Sequence, residues 1–221
     1  MTKDSKIPNS TIERLAFYSR PLEALLKDGP PIISSEKLAG LCGVNAAQVR
    51  KDLAYFGEFG VRGVGYEIKA LLREIKRILG TDRKWTLCIV GIGNLGISLV
   101  ENENFRKRGY VFVAAFDSDA RKVGTRLPCG LTVEHEGNIG KVVKALEIKI
   151  GVITTPARAA QRVAGILSKA GIKAILNFAP IQVRTPERCI IENVDFSVRL
   201  ENLVYHLERL YKGENTRKKQ T

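Results

Sequence analysis

With 221 residues, 44% hydrophobic and 27% charged, the chain has room for one large domain or two modest ones and the composition of an ordinary globular protein. No apolar run is long enough to span a membrane. Met1 to Ser10 is polar and mixed in charge, unlike a secretory signal, and the scattered Cys42, Cys88, Cys129 and Cys189 match neither a disulfide scaffold nor a zinc site. These exclusions predict a cytoplasmic protein with buried, inert thiols and no metal. The net charge of +13 favours an anionic partner, but it divides as +4 up to Gly80 and +9 beyond, so charge alone locates no surface.

Up to about Gly80 the pattern reads helix, helix, helix, short hairpin, helix. Ser10 with Glu13 forms a capping-box pattern for the first helix, whose apolar face is predicted to carry Ile12, Leu15, Ala16, Leu22, Leu25 and Leu26. Pro21 is expected to kink it near Arg20. Ser34-Ser35-Glu36 opens a short second helix that Gly43 can end, and Asn45 to Gln48 caps a third over 46–56. In that third helix Val49, Leu53 and Phe56 share one face. Ala47, Gln48, Lys51 and Tyr55 lie opposite, with Arg50 on the flank. Small, amide, cationic and aromatic groups on one face suit the DNA major groove: Ala47 permits close approach, Gln48 can read adenine, and Lys51 can reach guanine or phosphate. The glycine-rich stretch 57–66 reads as a hairpin, which makes the unit a winged helix with Arg62 at the wing tip, able to enter a minor groove.

Thr81 to Lys84 is a polar joint. Beyond it, apolar strand-like runs alternate with helical patterns, the grammar of an α/β parallel sheet. The run 85–90 is followed at once by Gly91-Ile92-Gly93-Asn94-Leu95-Gly96 and a helical pattern to about Lys107. A G-x-G-x-x-G between strand and helix is a dinucleotide fingerprint: Gly91 turns, Gly93 admits a pyrophosphate, and Gly96 lets helix and strand approach. The strand 111–116 ends in Asp117, placed to accept from ribose hydroxyls and to repel a 2′-phosphate, which favours NAD(H). A strand over 148–153 leads to Thr154, Thr155 and Pro156, with Thr155 as a helix cap and Pro156 at the first helical position. A further strand leads to Asn177, Phe178, Ala179 and Pro180. Both turns lie at strand C-terminal ends and are expected to line the nicotinamide side. A last helix over 197–211 sets Leu200, Leu203, Val204, Leu207 and Leu210 at helical spacing, a face suited to a partner copy. The predicted division is a winged-helix DNA-binding domain over 1–82, a Rossmann NAD(H)-binding domain over 83–199 and a dimerisation helix with tail over 200–221.

The chain resembles the Rex family of redox-sensing repressors. The resemblance runs through Ser34-Ser35-Glu36, Gln48 to Leu53, Phe56-Gly57, Arg62 to Tyr66, the Gly91 loop, Ile175 to Pro180 and Glu192 to Asp195, in that order and spacing. It implies a homodimer that exchanges its C-terminal helices and binds a palindromic duplex operator when free or NAD⁺-bound, with release by NADH. It also implies that Ser34 and Ser35 contribute to the DNA surface. A polar relay is implied at Arg20 and Asp195, with a third position where relatives hold Tyr and this chain holds Asn102. Two other readings stand beside it. A small NAD-dependent dehydrogenase would need a placed acid or base, and neither His135, in a polar connecting segment, nor His206, in the last helix, is well situated; no catalytic residue is assigned. A DNA-binding regulator holding another nucleotide or a coenzyme A derivative is also open, since the glycine loop itself reads only phosphate and backbone approach.

Overall fold

A computed structural model describes residues 7–61, 63–186 and 189–218, with side chains through 212. The chain divides into two units, Met1–Lys84 and Trp85–Thr221, the last helix belonging to the second.

The first unit is built from α1 (Asn9–Asp28), β1 (Ile32–Ile33), α2 (Ser35–Cys42), α3 (Ala46–Ala54), β2 (Tyr66–Glu67) and α4 (Ile68–Leu79). Two of its helices start where the sequence indicates. The Ser34 hydroxyl accepts from Lys37 N at 3.2 Å, and the Asn45 side chain accepts from Gln48 N at 2.8 Å. Gly43 closes α2 in the left-handed conformation. α3 is shorter than expected: Phe56 lies in a turn beyond it, half-buried against the core. The wing is pinned by an antiparallel β1–β2 pair, with Val61 bridging Gly65 at its tip; Arg62 lies outside the described residues.

α1 departs from its expected form in three ways. It begins two residues early, with Pro8 rather than Ser10 at the N-cap, because the Pro8 carbonyl accepts from Thr11 N at 2.9 Å. Its inward face is rotated. Ile12, Ala16 and Leu26 are exposed, while Thr11, Leu15, Tyr18, Ser19 and Leu22 are buried. The reason is polar: Thr11 and Tyr18 find a buried acceptor in Asp52, so their side chains can turn inward. Finally, the helix runs unbroken through Pro21. The Phe17 carbonyl, which loses its donor to the proline, accepts weakly from Cys42 Sγ at 3.9 Å.

The second unit carries β3 (Trp85–Val90), α5 (Asn94–Glu101), α6 (Glu103–Lys107), β4 (Tyr110–Asp117), β5 (Val133–His135), α7 (Ile139–Ala145), β6 (Ile150–Ile153), α8 (Ala157–Lys169), β7 (Ala174–Asn177), β8 (Ile190–Asn193) and α9 (Phe196–Lys218). Among the described residues its strands form a six-stranded parallel sheet in the order β5-β4-β3-β6-β7-β8. The order reverses between β3 and β6, which is the doubly wound Rossmann arrangement and sets the ligand crevice there. Alternation along β3 serves both faces: Cys88 and Val90 join Phe116, Val163 and Leu167, whereas Leu87 and Ile89 join Ala115, Val133 and Val152.

The long helix expected over 94–107 is broken at Asn102, which ends α5 and caps α6 by accepting from Asn104 N at 3.0 Å. His135 ends β5 rather than lying in a connecting segment, and its Nδ1 accepts from Gly137 N. Of the cysteines only Cys88 is buried; Cys42 and Cys189 are half-buried and Cys129 is exposed, on a turn that buries little of itself. Among the described residues no helix is long and apolar enough to cross a membrane, and no cluster of three or more His, Cys, Asp or Glu could hold a metal.

Leu167 is fully buried under β6, where Gly151 leaves room for it: a Cβ at 151 would lie 2.9 Å from its Cδ1. Truncation to Leu167→Ala is expected to destabilise the second unit by about 2–5 kcal/mol in denaturant unfolding of the full chain. A loss well under about 1 kcal/mol would contradict this packing.

Candidate functional site

At the head of the sheet the backbone of three segments converges. Gly91 follows β3 with φ +103°, and a Cβ there would meet the Thr154 backbone at 2.8 Å. Gly96 brings α5 still closer: a Cβ at 96 would lie 2.3 Å from the Gly91 carbonyl oxygen. Thr154 ties the arrangement by donating its hydroxyl to that same oxygen at 2.6 Å. By contrast, nothing lies within 4 Å of a Cβ placed on Gly93, and Asn94 and Leu95 at the start of α5 are exposed. The loop is therefore closed against the protein and open outward at Gly93, the form a pyrophosphate needs.

Asp117, 7% exposed at the end of β4, holds the loop from the other side. Its Oδ2 accepts from Ile92 N at 2.8 Å and Lys122 Nζ at 3.1 Å, and its Oδ1 from Asp119 N at 2.9 Å. Burial pushes its carboxyl up, but these donors outweigh burial and hold it below the ordinary carboxylate value. Thr155 was expected to cap α8. Instead Pro156 occupies the N-cap, with no side-chain cap, and the Thr155 hydroxyl is buried without a hydrogen-bond partner among the described residues. The proline displaces the chain by one residue and leaves this hydroxyl available to a bound polar group. Loop, Asp117 and Thr155 together fit a dinucleotide.

Beyond β7, Asn177 is fully buried and saturated. Its Nδ2 donates to Ile181 O at 2.7 Å, Asn193 Oδ1 at 2.9 Å and Ala179 O at 3.3 Å, while its Oδ1 accepts from Ala179 N at 3.0 Å. Its role is to shape the turn. That turn sets a half-buried Phe178, a buried Ala179 and an exposed Pro180, with Phe178 6.2 Å from the Phe196 ring.

In the first unit the outward face of α3 presents exposed Ala47, Lys51 and Tyr55. Arg50 is exposed and reaches back to Ser35 Oγ at 2.7 Å and Glu36 Oε1 at 3.1 Å. Ser34, Ser35 and Arg50 line a groove of about 720 Å³ that runs past the wing residues Gly60, Gly63 and Tyr66. Gln48 is half-buried and faces partly inward, donating from Nε2 to Asp52 Oδ1 at 2.8 Å. Asp52 is fully buried and is the site residue that sequence reasoning missed. Its other donors all come from α1: Arg14 Nε (2.6 Å) and Nη2 (2.7 Å), Tyr18 Oη (2.7 Å) and Thr11 Oγ1 (3.1 Å). The signal was present in spacing. Position 52 falls beside Val49, Leu53 and Phe56 on the inward side of α3, and Thr11, Arg14 and Tyr18 recur at helical intervals.

The three expected relay residues are each locally engaged. Arg20, in the first unit, is exposed with its guanidinium 5.3 Å from the Phe17 ring centre. In the second unit Asn102 caps α6, and Asp195 Oδ1 accepts from Ser197 N at 2.8 Å at the start of α9. On α9 itself Leu200, Leu203, Val204, Leu207 and Leu210 are all exposed.

Residues 6–54 match the family described as "Putative DNA-binding protein N-terminus", and residues 82–181 match the CoA binding domain. A redox-sensing transcriptional repressor Rex from Syntrophobacter fumaroxidans is 56% identical over 93% of this chain and 98% of its own. The crystal structure of RSP in complex with beta-NAD⁺ and operator DNA superposes with a TM-score of 0.88 at 36% identity, covering 96% of this chain and 98% of that one. RSP in complex with beta-NADH gives 0.84 at 35% identity, covering 95% and 99%.

The Asp52 cluster carries a measurable charge. Burial pushes this carboxyl up, but hydrogen bonds from Arg14, Tyr18, Gln48 and Thr11 win and hold it at about 2. A depressed folded-state value stabilises above the ordinary carboxylate range and is lost as pH falls through about 2. The expected outcome concerns the stability gap between the wild type and Asp52→Asn. It narrows by roughly 2 kcal/mol as unfolding is followed from about pH 5 down to about pH 2. A gap that stays constant over that window would show that the charge is not held this way.

Proposed function

The chain belongs to the Rex family of redox-sensing transcriptional repressors, and on that premise we propose that it binds a palindromic operator when free or NAD⁺-bound and lets it go when NADH occupies the cradle. The observation that carries this reading is one chain joining a reading helix with an outward polar face to a glycine loop left open only at Gly93. The proteins it matches over nearly their whole length are named for redox-sensing repression, and RSP, likewise matched, has been seen with operator DNA and NAD⁺ and with NADH.

In this reading the backbone at Gly91, Ile92, Gly93, Asn94, Leu95 and Gly96 holds the pyrophosphate, Asp117 accepts from the ribose hydroxyls, and Thr154, Thr155 and Pro156 flank the nicotinamide with Asn177, Phe178, Ala179 and Pro180. When bound, the dinucleotide supplies the signal as a ring that is charged and flat when oxidised but neutral and puckered when reduced. The apolar side chains of Phe178 and Ala179 favour the neutral ring, because burying an unpaired charge is expensive. A ~100-fold preference of NADH for the released arrangement supplies roughly 2.7 kcal/mol of switching. The CoA binding match describes the same glycine-loop region. A coenzyme A derivative shares the phosphate chemistry but not the redox-sensitive ring.

The DNA side is assigned to Ala47, Gln48, Lys51 and Tyr55 at base edges and groove walls, with Ser34, Ser35, Arg50 and the wing residue Arg62 on the backbone or minor groove. The exposed apolar stripe of α9 supports a homodimer with exchanged C-terminal helices, whose two reading helices meet half-sites about 34–36 Å apart. Arg20, Asn102 and Asp195 are assigned to the relay between nucleotide and DNA. Because Asn102 is spent on capping α6, its part is wired differently from a tyrosine's. In this reading the protein acts in the cytoplasm as a regulator and not as an enzyme, in line with the repressor name its relatives carry.

In an operator titration at fixed salt, NADH is expected to weaken binding by about 10-fold or more relative to NAD⁺, in line with couplings of about 1–3 kcal/mol. Equal effects of the two would reject the sensor. Lys51→Ala is expected to remove most of the operator affinity, at least about 10-fold for a lost base contact. Unchanged binding would show that α3 does not enter the groove.

A further inference from the structure

Asp52 stands on the same helix as the reading face but is turned into the core, and among the described residues its link to that face is Gln48. A carboxylate paired with a guanidinium can only accept, so the group that faces it must be the amide nitrogen of Gln48. Turning the amide over would set its carbonyl against the carboxylate, acceptor against acceptor. The orientation of Gln48 is therefore fixed, and one of its two N–H groups is consumed at 2.8 Å. What remains for a base is one N–H donor and one carbonyl acceptor. In the major groove adenine offers one acceptor and one donor, N7 and N6–H, whereas guanine offers two acceptors, N7 and O6. The remaining pair matches adenine and cannot serve both guanine acceptors.

We propose that Asp52 is a positioning residue that sets base preference: through Gln48 it biases the reading helix toward adenine over guanine at one position of each half-site. The inference rests on the reading that α3 carries Gln48 to the base edges. It adds that the choice of base is made by a buried residue that never touches DNA. Arg14, Tyr18 and Thr11 hold the carboxylate, so its position is set by α1 and not by the operator.

The test uses the full-length protein and an operator recovered by selection from random duplexes. Each adenine is replaced in turn by guanine and by 7-deazaadenine. At one position per half-site both replacements are expected to weaken wild-type binding by about 10-fold, the scale of a bidentate contact. Gln48→Ala erases the preference. In Asp52→Asn the new amide can donate to the Gln48 carbonyl, which frees Gln48 to turn, and the adenine-to-guanine ratio drops to within about 3-fold. Tyr18→Phe removes another donor from the same carboxylate without touching Gln48, so it lowers the melting temperature but keeps the ratio. If Gln48→Ala erases the preference while Asp52→Asn preserves it, the positioning role is overturned and the reading of α3 survives. If no position responds to Gln48→Ala, both fall. Should Asp52→Asn not fold, nitrogen-15 NMR of the wild-type Gln48 amide decides: one side-chain proton moved downfield and slow to exchange supports the tether, and two fast-exchanging protons overturn it.

Discussion

A single buried carboxylate organises the first unit. A charge with no exposure to water is tolerable only if its lone pairs are met, and Asp52 receives five hydrogen bonds, two of them from the Arg14 guanidinium. Four of the five reach across from α1, so the requirement to satisfy one side chain fixes how α3 lies against α1. It also explains why Thr11 and Tyr18 are buried while Ile12 and Leu26, the more apolar choices, face solvent. Removing Arg14 would leave a buried charge unbalanced, and removing a neutral partner would leave one of its lone pairs unmet, which makes the cluster a geometric constraint rather than an additive source of stability.

The second unit is governed by a different constraint, close approach of backbone. Gly91, Gly96 and Thr154 bring β3, α5 and the end of β6 into contact that a side chain at either glycine would prevent. The Asp117–Ile92 hydrogen bond then holds the loop from β4. The consequence is a closely packed floor that leaves Gly93, Asn94 and Leu95 exposed. The polar capacity left over at this site sits at Gly93, at the start of α5 and at the Thr155 hydroxyl. Asn177 shows the contrast: buried and fully hydrogen-bonded, it shapes a turn and has little left to offer a ligand.

The parts of this architecture that depend on local rules could be read directly from sequence. The caps Ser34 and Asn45, the stop at Gly43, the strand–glycine loop–helix succession and the paired C-terminal turns each follow from a few adjacent residues. What could not be read required a partner distant in sequence. The inward face of α1 depends on an acid 38 residues beyond Arg14. The short edge strand β5, three residues with Glu and His among them, carries too little alternation to stand out. Ser10 and Thr155 had the right chemistry for caps, but in each case a neighbouring proline took the N-cap position. Asn102 had the inverse fate: it ends one helix and starts another because its own side chain supplies the cap.

The two constraints bear on how such a molecule divides affinity from selectivity. Most of the net charge of +13 lies outside the first unit, which carries +5 through Lys84. Nonspecific attraction to phosphate, which scales with the number of cations engaged, is therefore modest on this unit's own account. On the proposed reading the selective work falls to groups held before DNA arrives, Arg50 by Ser35 and Glu36 and Gln48 by Asp52, with the exposed Lys51 beside them. On that reading a face held in place from behind loses little conformational entropy on binding, and in the proposed homodimer a change in the spacing of two such faces strains both contacts together. On the proposed reading that is the property a nucleotide-controlled switch needs: rigid heads let the preference at the cradle reach the DNA undiminished, and by linkage it can be no larger there.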